Sequence, residues 1–176
     1  KIFGMISREE NNIGLELIKL KNLGFAGIGE VAFYDGNVDY FFLNELFKEC
    51  AVHEMPVILH VNDPVGHDYC GKYKTSFSKL YEIISKNPET MIILSHMGGG
   101  IFIWEMMPEV KKAFRNVYYD TAAVPYLYDS DLFKKAINIV PEKILFGSDY
   151  PLIYKNTYEK KFDMELLKKL AESTYS

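Results

Sequence analysis

Short apolar runs alternate along the chain with stretches in which apolar residues return every three or four positions. The short runs lie at residues 1–7, 25–30, 57–61, 91–95, 117–120 and 143–147, and they predict six strands. Val57-Ile-Leu59 and Met91-Ile-Ile-Leu94 are apolar without alternation, the pattern of a parallel sheet covered on both faces. Between the runs the period changes. Ser7-Arg-Glu-Glu10 has capping-box spacing, and Ile13, Leu17, Ile18 and Leu20 follow at helical period up to Gly24. A helix over 38–54 is expected to bury Phe42, Leu46, Phe47 and Cys50. A Pro-, Gly- and Asp-rich loop covers 62–72, and a helix over 76–86 buries Phe77, Leu80, Tyr81 and Ile84. Trp104, Met107, Val110, Ala113 and Phe114 mark a further helix, and another is capped near Asp129-Ser-Asp131 with Leu132, Phe133, Ala136 and Ile137 inward. A last helix is expected around 164–171.

The predicted strands end on residues that carry chemistry. Glu30, His60, His96, Asp120 and Asp149 close five of them, at intervals of 24 to 36 residues. Each interval is long enough for a strand, a returning helix and two loops. In a parallel α/β barrel those ends share one face, the face that carries active sites. A complete barrel of eight units runs to ~250 residues, so the expectation is one domain over 1–176 that supplies six of eight β/α units of a TIM barrel and lacks the first two. An open doubly wound sheet is the competing architecture, but its Gly-rich phosphate-binding first turn is absent.

Composition narrows the function. The chain has 176 residues, 48% of them hydrophobic, and a formal net charge of −4. That charge argues against a nucleic-acid surface, which needs clustered Lys and Arg. Pairs such as Lys111-Lys112 and Lys134-Lys135 read as solvated helix surface. The two cysteines, Cys50 and Cys70, form no CxxC pattern, and Cys50 follows Leu46 and Phe47 at helical spacing as a buried thiol. A reducing, cytoplasmic setting is expected. No apolar run approaches the ~18–20 residues that span a bilayer. A small-molecule substrate is the expected partner.

Imidazole and carboxylate ligands suit a divalent cation, and a catalytic site keeps one position open for water. Such a cation brings the pKa of bound water from 15.7 to about 7 and polarises a carbonyl. His60, His96 and Asp149 are candidates to surround one axial pocket, with Asp149 taking the water's proton. Zinc is the expected ion and manganese the alternative, with one or two ions per chain.

Three segments carry a resemblance. Ile58-Leu-His-Val61, Ile93-Leu-Ser-His-Met-Gly-Gly-Gly100 and Ile144-Leu-Phe-Gly-Ser-Asp-Tyr-Pro151 resemble the fifth, sixth and eighth strands of the amidohydrolase superfamily. They are most similar to the amidohydrolase 2 branch, which contains aminocarboxymuconate-semialdehyde decarboxylase, and the likeness extends over nearly the whole chain. The resemblance implies that His60 is a metal ligand, and that His96 ligates a second metal or activates water and substrate. It implies that Asp149 is ligand and general base. The family's His-x-His pair has no counterpart among the four histidines His53, His60, His67 and His96. Gly27-Ile-Gly-Glu30 is similar to the strand end that supplies a metal-bridging carboxylate in TatD-like deoxyribonucleases, which makes Glu30 a fourth candidate ligand. His67, in the loop after His60, is a candidate substrate contact, whereas His53 reads as a helix-end residue. The resemblance implies metal-dependent hydrolysis of an amide, ester or lactone, or non-oxidative decarboxylation of a small carboxylate. Two alternatives stand beside it. One is a non-catalytic barrel fragment that forms homo-oligomers or needs an N-terminal piece. The other is a TatD-like deoxyribonuclease.

Overall fold

The computed structural model describes residues 1–69 and 72–149. The helix expected at 164–171 and the second cysteine, Cys70, lie outside the described residues. All six predicted strands form: β1 (Phe3–Gly4), β2 (Gly27–Val31), β3 (Val57–Leu59), β4 (Ile92–Leu94), β5 (Val117–Asp120) and β6 (Ile144–Leu145). Every pairing is parallel, and the spatial order β1-β2-β3-β4-β5-β6 equals the chain order. A doubly wound sheet reverses its order at a switch point. This one does not; it progresses in one direction, as the wall of a (β/α) barrel does.

The helices are α1 (Ile13–Asn22), α2 (Tyr40–Val52), α3 (Phe77–Lys86), the single turn α4 (Ser95–Gly98), α5 (Pro108–Ala113), α6 (Val124–Leu127) and α7 (Asp131–Ile139). The predicted start at Ser7 gives way to Asn12, whose side chain accepts from the Leu15 amide at 2.9 Å and caps α1. Asp39 caps α2 and Ser76 caps α3 in the same way. Phe42, Leu46, Phe47 and Cys50 are buried as the helical period requires; in α3 the buried set is Leu80, Ile83 and Ile84, with Phe77 and Tyr81 half-buried.

The segment around Trp104 departs from the single helix expected. It divides into a 3-10 stretch, Ile101–Met106, and α5. Pro108 is the cause: a proline pushes the residue before it out of the α region, and Met107 sits at φ −87°, ψ 124°. No described helix is long and apolar enough to cross a membrane.

One hydrophobic cluster joins helices to sheet, with Leu17, Phe47, Leu80, Phe114 and Phe133 from the helices and Ile28, Val57, Ile92 and Tyr119 from the strands. At its edge Glu105 is buried and accepts from the Tyr119 hydroxyl and the Lys143 ammonium, each at 2.6 Å. Lys143 also donates to the Phe114 carbonyl at 2.8 Å. This paired cluster ties the 3-10 stretch to β5 and to the entry of β6.

Candidate metal centre

Three strand ends converge because the register allows it. In β2, Gly29 (φ +140°) lies against β3 so closely that a Cβ there would meet Ile58 Cβ and O at 2.7 Å. Only a glycine permits that approach. It sets Glu30 beside the end of β3, where the His60 amide donates to the Val31 carbonyl at 2.9 Å. Leu59 pairs with Leu94, so His60 and the turn that follows β4 are neighbours. In that turn His96 and Met97 take left-handed backbone angles (φ 58° and 56°), a strained state for residues with a Cβ. Asp120, closing β5, holds the turn: its Oδ1 accepts from the His96 amide at 2.9 Å and from the Ala122 amide at 3.0 Å. Burial raises the Asp120 carboxyl, against the lowering effect of these amides, of the His96 charge and of Ser95. Asp120 therefore orients a neighbour.

The result is a compact triangle. His60 Nδ1 lies 3.2 Å from Glu30 Oε1 and 3.1 Å from His96 Nε2, and His96 Nε2 lies 3.7 Å from Glu30 Oε1. Both imidazoles are buried, and the Glu30 side chain is about a third exposed. Burial alone would raise the Glu30 carboxyl; the hydrogen bond and charge of His60, the Ser95 hydroxyl and the His96 charge outweigh it, and the group lies below its ordinary value. Glu30 is thus held as a carboxylate. Ligand atoms sharing a tetrahedral zinc at 2.0–2.1 Å stand ~3.3 Å apart, which the three separations of 3.1, 3.2 and 3.7 Å bracket. The donor set fits a divalent cation. Among the described residues this is the group of histidine, cysteine and carboxylate side chains close enough to hold one.

The other candidates lie around this triangle. Asp149 stands beyond β6 with a left-handed backbone (φ 57°) and is not in the group. Its charge is felt at Tyr34, whose hydroxyl is raised by burial, by Glu30 and by Asp149. The Tyr34 ring itself packs 5.8 Å from His60. His67 is exposed on the loop after β3, where it lines a cavity of about 480 Å³ with Asp63, Tyr69, Gly99 and Tyr128. His53 ends α2, away from the triangle, 3.7 Å from Glu49.

Residues that sequence reasoning passed over support His60. Tyr73 donates to the His60 carbonyl at 2.6 Å, Asn62 Oδ1 lies 3.1 Å from His60 Nε2, and Tyr69 donates to that same Oδ1. His96 Nδ1 lies 2.8 Å from the Ala122 carbonyl. Tyrosines and an asparagine in a loop carry no spacing signal of their own.

The profile of the Amidohydrolase family matches residues 15–173. No curated protein sequence matches the chain. Among solved structures, an uncharacterised TIM-barrel protein from Bordetella bronchiseptica superposes with a TM-score of 0.51 at 20% identity, over 99% of this chain and 57% of that one. A dihydroorotase from Campylobacter jejuni superposes with a TM-score of 0.53 at 16% identity, over 96% of this chain and 57% of that one. At such identities the likeness is one of fold. The chain spans 57% of the length of both structures.

Proposed function

The chain belongs to the amidohydrolase family, and we propose that it carries the metal-binding part of a hydrolase acting on an amide, ester or lactone bond of a small molecule. The triangle of Glu30, His60 and His96 is the observation that supports this reading. These three residues would hold one divalent cation, zinc by its ligand chemistry, with manganese the alternative. When bound, the cation supplies Lewis acidity, which acidifies a water and polarises the substrate's acyl oxygen.

The remaining work falls to the chain's own side chains. Glu30, held as a carboxylate, balances charge at the centre. Asp149, beyond the end of β6, is the general base: it accepts the proton of the attacking water and passes it to the leaving group. His67 and the cavity beside it receive a non-reacting part of the substrate. Decarboxylation of a small carboxylate would use the same residues, with protonated Asp149 giving its proton to the carbon left behind when the C–C bond breaks and CO2 departs.

The test is Asp149→Asn in the full-length protein, assayed against a panel of small amides, esters and lactones with metal content measured in parallel. Retained metal with turnover reduced at least ~100-fold is the expected result. Undiminished turnover removes Asp149 from the role. A TatD-like nuclease is the second reading, favoured by the place of Glu30 in the triangle. Metal-dependent cleavage of single-stranded DNA by the full-length protein would establish it over hydrolysis of small molecules.

A further inference from the structure

A neutral imidazole carries its proton on one nitrogen only, and a metal needs the other one bare. With both rings neutral, the form that binds a metal, the assignment for His96 is forced. Its Nδ1 faces the Ala122 carbonyl at 2.8 Å, and a carbonyl only accepts, so Nδ1 donates and Nε2 is bare toward the triangle. His60 is contested. Its Nδ1 faces two acceptors, the Glu30 carboxylate at 3.2 Å and the bare His96 Nε2 at 3.1 Å, and either would take a proton from it. On its other side Nε2 faces Asn62 Oδ1 at 3.1 Å. Left to the triangle, the proton belongs on Nδ1, where it blocks a ligand position.

We propose that Asn62, held by Tyr69, is the positioning residue that keeps the His60 proton on Nε2 and so leaves Nδ1 bare toward Glu30 and His96. The Tyr69 hydroxyl donates to Asn62 Oδ1, the same oxygen that faces His60. Asn62 is 1% exposed, and in this orientation its Nδ2 has no hydrogen-bond partner among the described residues. A buried donor without a partner is costly, and native structures keep such groups for a reason. Turning the amide over would offer Nδ2 to His60 Nε2, and the proton would move to Nδ1 and into the triangle. The orientation seen is the one that readies the site. This inference deepens the metal-centre reading and rests on it for its purpose.

The ring nitrogens of metal-free protein, read by ¹⁵N-edited long-range NMR at mildly alkaline pH, test the idea without any metal. Wild-type His60 should show the Nε2–H tautomer, and Asn62→Asp, which can still accept, should retain it. Asn62→Leu should convert His60 to Nδ1–H and weaken zinc binding, measured by chelator competition, by 10–100-fold. Tyr69→Phe should fall between. An Nδ1–H tautomer in metal-free wild type overturns the proposal whether or not the leucine variant folds, as does a folded Asn62→Leu protein with an unchanged tautomer. If the tautomer follows residue 62 as stated while no variant binds zinc, the positioning role holds and the metal reading falls.

Discussion

Gly99 and Gly100 are adjacent, both left-handed, and differ in one physical respect. A Cβ on Gly99 (φ +61°) would lie 2.7 Å from Asn62 C and Asp63 N and 2.8 Å from Asn62 O, whereas a Cβ on Gly100 (φ +93°) meets nothing within 4 Å. The Asn62 contact is the segment that follows His60, so Gly99 is where the loop after β4 rests on the loop after β3. Replacing either glycine by alanine imposes a left-handed backbone on a residue with a Cβ, at about 1–2 kcal/mol. It also removes chain entropy from the unfolded state by a similar amount at both sites. Gly99→Ala adds a backbone collision that no side-chain rotation relieves, worth about 1–3 kcal/mol by analogy with overpacked cores. Gly99→Ala should therefore be less stable than Gly100→Ala by about 1–3 kcal/mol, read from urea unfolding midpoints at unchanged slope. At about 2–4 °C per kcal/mol for a chain of this size, the melting temperatures separate by several degrees. Metal affinity should fall in Gly99→Ala alone, because the displaced residues carry Asn62 away from His60. Stabilities equal within about 0.5 kcal/mol would refute the close approach of the two loops.

The buried Glu105 should be costly to remove: Glu105→Leu leaves Tyr119 without its acceptor and Lys143 without its counter-charge, with an expected loss of about 3–5 kcal/mol, and adding Lys143→Met in a double-mutant cycle should restore part of it. Tyr119 is held well above its ordinary value by burial and by the charge and hydrogen bond of Glu105, so its neutral form belongs to the folded state. The contribution is present below pH ~10 and is lost as pH rises from there toward the folded value; between pH 10 and 11 wild type should lose about 1 kcal/mol more than Tyr119→Phe. Burial, with a smaller effect from Glu49, pushes the Cys50 thiol up to about 12. Cys50 should resist iodoacetamide at pH 8 in the folded protein and react after unfolding, as peptide mapping would read; rapid labelling in the folded state would contradict its place on the buried face of α2.

Six strands, their parallel sense and three of the strand-end residues were legible because each rests on a local signal. Val57-Ile-Leu59 is apolar on both faces, and His60 follows it directly. The break at Pro108 was also legible in principle, since proline constrains its predecessor, but the apolar spacing from Trp104 to Phe114 masks it. Two features were not legible. The left-handed turn at His96 depends on Asp120, 24 residues on, whose carboxylate accepts the His96 amide. Asn62 and Tyr69 act through hydrogen bonds that no spacing encodes. Glu30 could be named from Gly27-Ile-Gly-Glu30, but its closeness to His60 follows from the approach of Gly29 to Ile58, a contact between strands.

Elemental mass spectrometry of the purified 176-residue chain, after exposure to zinc and removal of the excess, tests the central claim most directly. The account predicts about one zinc per chain for three converging ligands, lost in His60→Ala and in Glu30→Gln while the circular dichroism of the fold persists. A folded wild-type chain that retains no metal, or one whose metal survives both substitutions, would contradict it.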